Sequence, residues 1–386
     1  MISQAYEFKL IAEKVLPENI RQAWSALLAK SRSDSIFLTW EWMRSWCEVY
    51  GHRYRIMVIC GYDEKGELVA IAPLKVNSKK RPFDKRPYNV LEFIGWGERV
   101  TPEYLDVIIQ AGLEQMVLPR LIDYLLSRGG IDALELKPFN PDSGNLGIIE
   151  SHLRAKTGTV WLYEHSRCPV AALAADWSQY LSSKSKNFRK KMKEFERICR
   201  RDMDFKIELC EKSDDIEIFF GMLTRLHQMR WSGKSESFLS PKYLDFHRAV
   251  IRRLLENNWL RLMIAFDGAT PIAAIYCFFY GGTYYYYQSG RDIGYDRFRL
   301  GLVLINATFQ RAIAEGARTF DFLTGSEPYK FRWADGVRSN YSLNYYRRKK
   351  DYWAVKLPWV LRLLARRVLN RLRKSGLGPY LFGHLG

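Results

Sequence analysis

The stretch PIAAIYCFFYGGTYYYYQS, residues 271–289, decides the fold class. Two runs rich in aromatic and β-branched residues flank Gly281-Gly282. A two-glycine link between such runs predicts an antiparallel hairpin, because the tight turn needs positive φ at both central positions. Upstream, 260–266 reads as a strand that enters the hairpin through Asp267-Gly268-Ala269. Downstream, RFRLGL at 297–302 leads into an apolar-periodic segment that predicts a helix over 302–314, and 319–323 then reads as another strand. Strands interrupted by one amphipathic helix predict an α/β fold, a mixed sheet with flanking helices.

The same order occurs earlier in the chain. Residues 54–60 and 67–75 form a strand pair around Asp63-Glu64-Lys65-Gly66, and a helical pattern at 115–127 reaches the strand 131–136 through Gly129-Gly130. Two copies of one module are the economical reading, placed at 1–165 and 166–350, with a tail at 351–386. A chain of 386 residues has room for two cores.

The net charge of +18 is local. Residues 184–201 hold nine basic and two acidic side chains, and 347–374 hold eleven and one, which leaves the remainder nearly neutral. A general nucleic-acid-binding coat is therefore not expected. The six cysteines have no CxxC spacing, the six histidines have no metal-type spacing, and no metal is expected. GxSxG, GxxxxGK[ST], HExxH and a Rossmann GxGxxG are missing from the sequence, which argues against the common hydrolases and phosphoryl transferases.

The first charged segment is a helix with one narrow apolar stripe, Phe188, Met192, Phe195 and Cys199, surrounded by cations. It reads either as a solvated helix or as an anion-facing one. In the tail, Leu357, Val360, Leu361, Leu364, Ala365, Val368 and Leu372 project to one side of an ideal helix opposite Arg362, Arg366 and Arg373, with Trp353 and Trp359 near its start. A basic amphipathic helix of this kind suits an anionic membrane surface, or packs on the second module with its basic side in water, or contacts RNA. The N-terminus has no long apolar core and no apolar run reaches 18 residues, so a cytoplasmic protein is expected, peripheral on the inner face of the membrane. Near 302, Arg297, Arg299 and Gly301 make a physically sensible anion site, since unpaired N–H groups and the helix dipole meet guanidinium groups there.

At this point the residues resemble a known family. Phe320-Asp321-Phe322-Leu323-Thr324-Gly325 with Glu327-Pro328-Tyr329-Lys330, the helix start Arg299-Leu300-Gly301, the opening Phe37-Leu38-Thr39-Trp40-Glu41-Trp42, Ala70-Ile71-Ala72-Pro73-Leu74 and Ser185-Lys186-Asn187-Phe188-Arg189-Lys190 carry the likeness. They resemble the CelD/BcsL-type (BioF2-like) acyltransferases of the GNAT superfamily, which are related in fold to Fem-type peptidyltransferases. The resemblance covers about Ser35 to Arg348. It implies tandem GNAT-like modules, the second binding an acyl-CoA, with acetyl-CoA first among them. The pantetheine arm would lie beside 272–280 or 284–289, and the pyrophosphate on Arg297, Arg299, Leu300, Gly301 and Leu302.

The reaction so implied is attack of an amine or a hydroxyl on the acyl carbonyl, the acceptor being a small-molecule or lipid-linked glycan precursor of the envelope or of an exopolysaccharide. It needs a neutral nucleophile, donors for the carbonyl oxygen and a proton source for the thiolate. Tyr329 is the first candidate acid, followed by Tyr286 and Tyr287. Asp321 or Glu327 would relay the amine proton, and Lys330 would fix a carboxylate or phosphate of the substrate. Arg230-Trp231 with the polar loop 232–237, together with Tyr286 and Gln288, would meet the acceptor. Each also has a structural reading: tyrosines on a strand pack, Asp321 bonds neighbouring backbone, Lys330 pairs on the surface. Two rival functions keep the fold. One takes aminoacyl-tRNA as donor, with 184–201 on RNA phosphates and no other nucleic-acid partner; the other is a non-catalytic binding scaffold.

Overall fold

The doubled hairpin pattern closes into one mixed sheet. The structure is a computed structural model and describes residues 6–81, 84–231, 237–325, 327–358 and 360–361. The first half contributes β1 (Glu7–Ile11), α1 (Arg21–Ala29), α2 (Trp40–Tyr50), β2 (Arg55–Tyr62), β3 (Leu68–Arg81), β4 (Asp84–Phe93), β5 (Ile108–Ile109), α3 (Glu114–Ser127), β6 (Ala133–Phe139), α4 (Asn145–Arg154) and β7 (Thr159–Ala172). The second contributes α5 (Trp177–Ser182), α6 (Lys186–Asp202), β8 (Phe205–Leu209), α7 (Ile216–Arg230), α8 (Pro241–Glu256), β9 (Leu260–Asp267), β10 (Thr270–Tyr280), β11 (Thr283–Arg291), α9 (Leu300–Ala314), β12 (Thr319–Asp321), α10 (Lys330–Trp333) and β13 (Gly336–Tyr346).

The sheet order is β1-β2-β3-β4-β6-β13-β7-β12-β11-β10-β9-β8, with β5 on β3. From either edge inward the pairings repeat: three antiparallel, then one parallel, β4 with β6 and β11 with β12. The last strand of each half crosses to the other, β7 pairing with β12 and β13 with β6. β7 and β13 also pair with each other from Thr159↔Tyr346 to Val170↔Gly336. The 165/166 division thus falls within β7.

Period-2 alternation distributes the aromatic hairpin over two cores. Tyr276, Phe278, Tyr285 and Tyr287 belong to the core shared by both halves; Ile275, Cys277, Tyr284 and Tyr286 face the core under α6 and α9. Gly281 and Gly282 have φ of 57° and 78°, as the turn requires. The FLTWEW segment lies at the junction of the halves, Phe37 packing its ring 5.8 Å from Tyr285 and 6.4 Å from Phe278. The six cysteines are free and buried. Residues 349–358 are helical, and the tail pattern expected from 362 onward lies outside the described residues. Among the described residues no helix is long and apolar enough to cross a membrane, and no group of three or more His, Cys, Asp or Glu side chains is placed to hold a metal ion.

Candidate active site

β11 and β12 stay together for three residue pairs, Thr283↔Thr319 to Tyr285↔Asp321, and then part. β12 ends there while β11 runs on to Arg291, which leaves the β12-facing edge of residues 286–291 without a strand partner. Such an edge offers backbone groups to an amide-containing ligand. Tyr287 is the extra residue of a bulge, since Tyr276 pairs with Gln288 and Cys277 with Tyr286. Gly290 is where α7 crosses the strand: a Cβ there would run into the backbone of Leu226 and His227.

α9 begins two residues earlier than the sequence pattern indicates, because Arg299 caps it in the left-handed conformation, φ 54°. Leu300 and Gly301 are therefore the first helical residues, and their N–H groups have no partner within the helix. A Cβ at Gly301 would meet nothing within 4 Å.

Two cavities flank the divergence. The first, about 300 Å³, is lined by Ala273 to Ile275, Tyr286, Ser289 to Arg291, and the α9 start at Arg299, Gly301 and Leu302. Its charged lining is four arginines, Arg230, Arg291, Arg299 and Arg332, against Asp296. Arg291 is committed to Asp296 at 2.7 Å; Arg299 and Arg332 are exposed and make no ion pair among the described residues. The second cavity, about 270 Å³, is lined by Thr101, His227, Trp231, Tyr287, Gln288, Phe322, Leu323, Thr324, Glu327 and Lys330. Arg230, Tyr286, Ser289 and Tyr329 line both and form the wall between them. Within that wall Arg230 donates to Ser289 Oγ, Tyr286 OH donates to the same oxygen at 2.6 Å, and the Tyr329 and Tyr286 hydroxyls are 3.4 Å apart.

Burial sets the protonation states. It drives the Tyr329 phenol far above its ordinary value, with Tyr286 adding to the effect, so Tyr329 stays protonated. For Arg230 burial acts downward, but the Tyr286 and Tyr329 phenols outweigh it and hold the guanidinium charged. Burial lowers His227 to about 4, which leaves it neutral near pH 7. Lys330 is 4% exposed and is lowered by burial against the opposing pull of Glu327, 3.2 Å away. Its Nζ also donates to Thr324 O at 2.8 Å. Gly325, φ 144°, lets this pair cross the turn, because a Cβ would strike both the Glu327 carboxylate and the Lys330 ammonium.

The first half reaches into this region through the segment around 98–104. Thr101 lines the second cavity, and the Tyr104 hydroxyl donates to Asp321 Oδ2 at 2.6 Å. Asp321 Oδ1 accepts from the Leu323 N–H at 2.7 Å and so braces a turn in which Leu323 has φ 51°. Five of the six non-glycine residues with positive φ among the described residues lie here: Glu98, Arg99 and Tyr104 on this segment, Arg299 at the first cavity and Leu323 at the second. Strained backbone of this kind persists where surrounding structure enforces it, commonly at functional sites. Behind Asp321, Glu103 is 3% exposed and accepts from Ser166 Oγ and Asn340 Nδ2, both at 2.7 Å. Burial raises Glu103 to about 8 despite the Ser166 bond, with the Asp321 charge adding to the rise. Burial likewise raises Asp321 to about 6, although the Tyr104 bond pulls the other way.

The predicted residues therefore separate. Tyr329, Tyr286 and Arg230 meet in the wall; Arg299, Gly301 and Leu302 line the first cavity; Trp231, Gln288, Tyr287, Glu327 and Lys330 line the second. Asp321 lies behind the second cavity, fully buried with both oxygens engaged, and makes the local backbone bond. Leu300 is a core side chain, and Arg297 stacks on Phe298 at 4.6 Å away from the lining of either cavity. Lys330 is itself buried rather than on the surface, and pairs with Glu327, whose side chain is partly exposed. Residues 232–236 of the polar loop lie outside the described residues. Sequence reasoning missed Ser289, Arg291, Arg332, Thr101, Glu103 and Tyr104. Ser289 and Arg291 carried a signal, since Ser289 ends the stretch 284–289 named for the pantetheine arm and Arg291 continues its strand; Thr101, Glu103 and Tyr104 carried none.

Residues 182–331 match the family described as an acetyltransferase (GNAT) domain, which spans α6 through the start of α10, so the second half carries a GNAT-type acetyltransferase domain. No curated protein matches the chain in sequence. Among solved structures, FemX superposes with a TM-score of 0.60 at 12% identity over 90% of this chain and 99% of its own. L-PGS from Bacillus licheniformis gives 0.54 at 12% identity over 93% and 99%. The C-terminal domain of a putative lysylphosphatidylglycerol synthetase from Agrobacterium fabrum gives 0.51 at 8% over 86% and 93%. At these identities the likeness is one of fold, and it extends over both halves.

Proposed function

We propose that the chain is an acyltransferase of the CelD/BcsL type that moves an acyl group from an acyl-CoA, acetyl-CoA first among them, to an amine or hydroxyl of an envelope or exopolysaccharide precursor. The observation that carries this reading is the wall of Arg230, Tyr286, Ser289 and Tyr329 shared by two cavities, one beside a helix start with four arginines in its lining and the other opening on Glu327 and Lys330. An arginine-rich pocket at a helix start suits a pyrophosphate, and the free β11 edge beside it suits the two amides of a pantetheine arm. The thioester carbonyl would then lie at the wall, with the acceptor approaching from the second cavity.

In this reading the nucleophile forms a bond to the carbonyl carbon while its proton passes to Glu327, whose carboxylate opens on the second cavity. The charge that develops on the carbonyl oxygen falls beside Arg230, a cation held in place before the reaction begins. The C–S bond then breaks, and Tyr329, kept protonated by its burial, hydrogen-bonds the departing thiolate. Holding two reactants on either side of one wall supplies much of the rate, and no covalent nucleophile is required. Lys330 would hold an anionic group of the acceptor. The work place implied is the cytoplasmic face of a membrane, near a lipid-linked acceptor.

Calorimetry with acetyl-CoA and longer acyl-CoAs tests the donor: saturable binding that disappears in Gly301→Trp is expected. No heat with any acyl-CoA overturns it. One observation favours a second reading, an aminoacyl-tRNA donor. On α6, Lys186, Lys190, Lys193 and Arg197 form one exposed stripe at i, i+4, i+7 and i+11 and make no ion pair among the described residues. Binding of a tRNA that weakens steeply with added salt would select this reading.

A further inference from the structure

The described start of the tail and the beginning of β7 together form an amphipathic surface that neither cavity uses. On the helix at 349–358, continued at 360–361, Trp353, Leu357 and Leu361 follow one another at i, i+4 and i+8 and therefore share a side. They are 58%, 53% and 56% exposed, the most exposed run of large apolar side chains among the described residues. The adjoining side of the helix, which carries Tyr352 and Lys356, is anchored. Tyr352 meets Trp161 of β7 and Tyr346 of β13 edge-on, at 6.4 and 6.0 Å, and Lys356 Nζ sits 3.9 Å over the Trp161 ring. Trp161 in turn packs 4.8 Å from Tyr163, and Tyr352 5.1 Å from Trp353, so three half-buried aromatic rings, Trp161, Tyr163 and Tyr352, adjoin the apolar stripe.

The charge left without an ion pair around this surface is positive among the described residues, Asp132 and Asp351 being taken up by Arg348. Arg347, Arg348, Lys349 and Lys350 precede the stripe, and Lys349 and Lys350 are exposed and make no ion pair among the described residues. Asp351 is 1% exposed and bonded to Arg348 at 2.9 Å, so its charge is spent internally. After Asp351 the sequence contains no further Asp or Glu, while seven Lys or Arg follow.

We propose that this face docks on an anionic lipid bilayer, with Trp353, Leu357 and Leu361 entering the headgroup–acyl boundary and Lys349 and Lys350 meeting lipid phosphates. Three features select that occupant. Trp and Tyr at the margin of an apolar stripe fit the wet-to-apolar transition of a membrane interface. Exposed lysines that make no ion pair among the described residues fit the negative surface potential of a bilayer, at about fivefold in affinity for each charge near the surface. A second copy would bring a face of the same positive sign, and a nucleic acid would leave the Trp–Leu stripe in water. The proposal does not use the donor assignment, so each stands or falls without the other.

The test is flotation of the full chain with phosphatidylcholine vesicles and with phosphatidylcholine–phosphatidylglycerol vesicles. Flotation with the anionic vesicles alone, weakened by salt, is expected. Trp353→Ser with Leu357→Ser should reduce binding by at least about tenfold while leaving the melting temperature unchanged. Lys349→Glu with Lys350→Glu should reduce it further and remove most of the salt dependence. Three results would overturn the proposal: no flotation with anionic vesicles; equal flotation with both kinds; or wild-type binding in the Trp353→Ser, Leu357→Ser variant. A concentration-dependent dimer that the same variant abolishes, in a protein that does not float, would assign the face to a second copy instead.

Discussion

The two halves share a topology and differ in what fills the same gap. In the second half β11 and β12 part after Tyr285↔Asp321, and the space between them is open to two cavities. In the first half β4 and β6 part after Leu91↔Leu134, but there the chain fills the space itself. Leu105 lies along the freed edge of β6, its N–H donating to Pro138 O at 2.9 Å and its C=O accepting from Asn140 N at 3.0 Å. Phe93 and Phe139 close the interior with rings 5.3 Å apart. The helix starts differ in the same way. α9 begins with a left-handed arginine and has no acid in its first turn, whereas α3 begins with Glu114, whose carboxylate accepts from the Gly112 N–H at 2.8 Å and faces Arg32 at 3.5 Å. The first half carries its own strand and its own anion where the second leaves room for a ligand. An unpaired strand edge and an unneutralised helix start are costly unless something binds them, and only the second half keeps both.

The sharpest way to break the comparison is to remove the charge at the wall. Arg230→Gln should slow acyl transfer by about 100- to 1,000-fold, the scale of losing one preorganised donor to a developing oxyanion. Acetyl-CoA affinity, measured by calorimetry, should fall by less than about tenfold, because Arg291, Arg299 and Arg332 remain. An equal loss in both would make Arg230 a binding group only. Next in size, Gly301→Trp fills the open gap as Leu105 fills the closed one. Acetyl-CoA binding should weaken by at least about 100-fold with the melting temperature unchanged, since no atom lies within 4 Å of the new Cβ and an exposed helix tolerates Trp better than Gly.

How much of this was legible in the sequence follows from how local each feature is. The hairpin, the alternation of Tyr284 to Tyr287 between two faces and the cationic approach to α9 are set within a few residues, and all were readable. The helix start was misplaced by two positions because caps are expected to be Ser, Thr, Asp or Asn, and a left-handed arginine gives no such signal. Asp321 allowed two readings, relay or backbone bond. What decides between them is Tyr104, 217 positions away and delivered by the other half. The exchange of β7 and β13 between halves, the Leu105 insertion and the meeting of Arg230 with Tyr329 depend on long-range packing, for which hydrophobic period carries no information.

A smaller effect tests whether the first half acts on the second through charge. Glu103 titrates near 8 in the folded chain against an ordinary glutamate value of 4.5, so the folded state holds a proton that the unfolded state has released. The sign follows: this group's contribution to stability is greatest below the unfolded value and is lost as pH rises toward about 8. The groups facing it are Ser166, Asn340, Asp321 and Lys330, of which only Asp321 shares its sign and titrates in part over the same range. Chemical denaturation should therefore show stability falling by on the order of 1–3 kcal/mol between about pH 6 and pH 8. Glu103→Gln, which keeps an oxygen for Ser166 and Asn340, should flatten that slope; an unchanged slope would assign it elsewhere.

The smallest expected effect sharpens the contrast at the helix starts. Glu114→Gln removes the first half's internal anion but keeps an oxygen for the Gly112 N–H, so the loss is that of a charge-assisted bond and of the Arg32 contact, about 1–2 kcal/mol in stability. If α3 were a latent copy of the α9 site, neutralising Glu114 would create a second acetyl-CoA site, visible in calorimetry as a stoichiometry of two. The expected stoichiometry is one. Leu105 still occupies the β6 edge in the variant, and a helix start without a free strand beside it can hold a phosphate but not the arm that follows it.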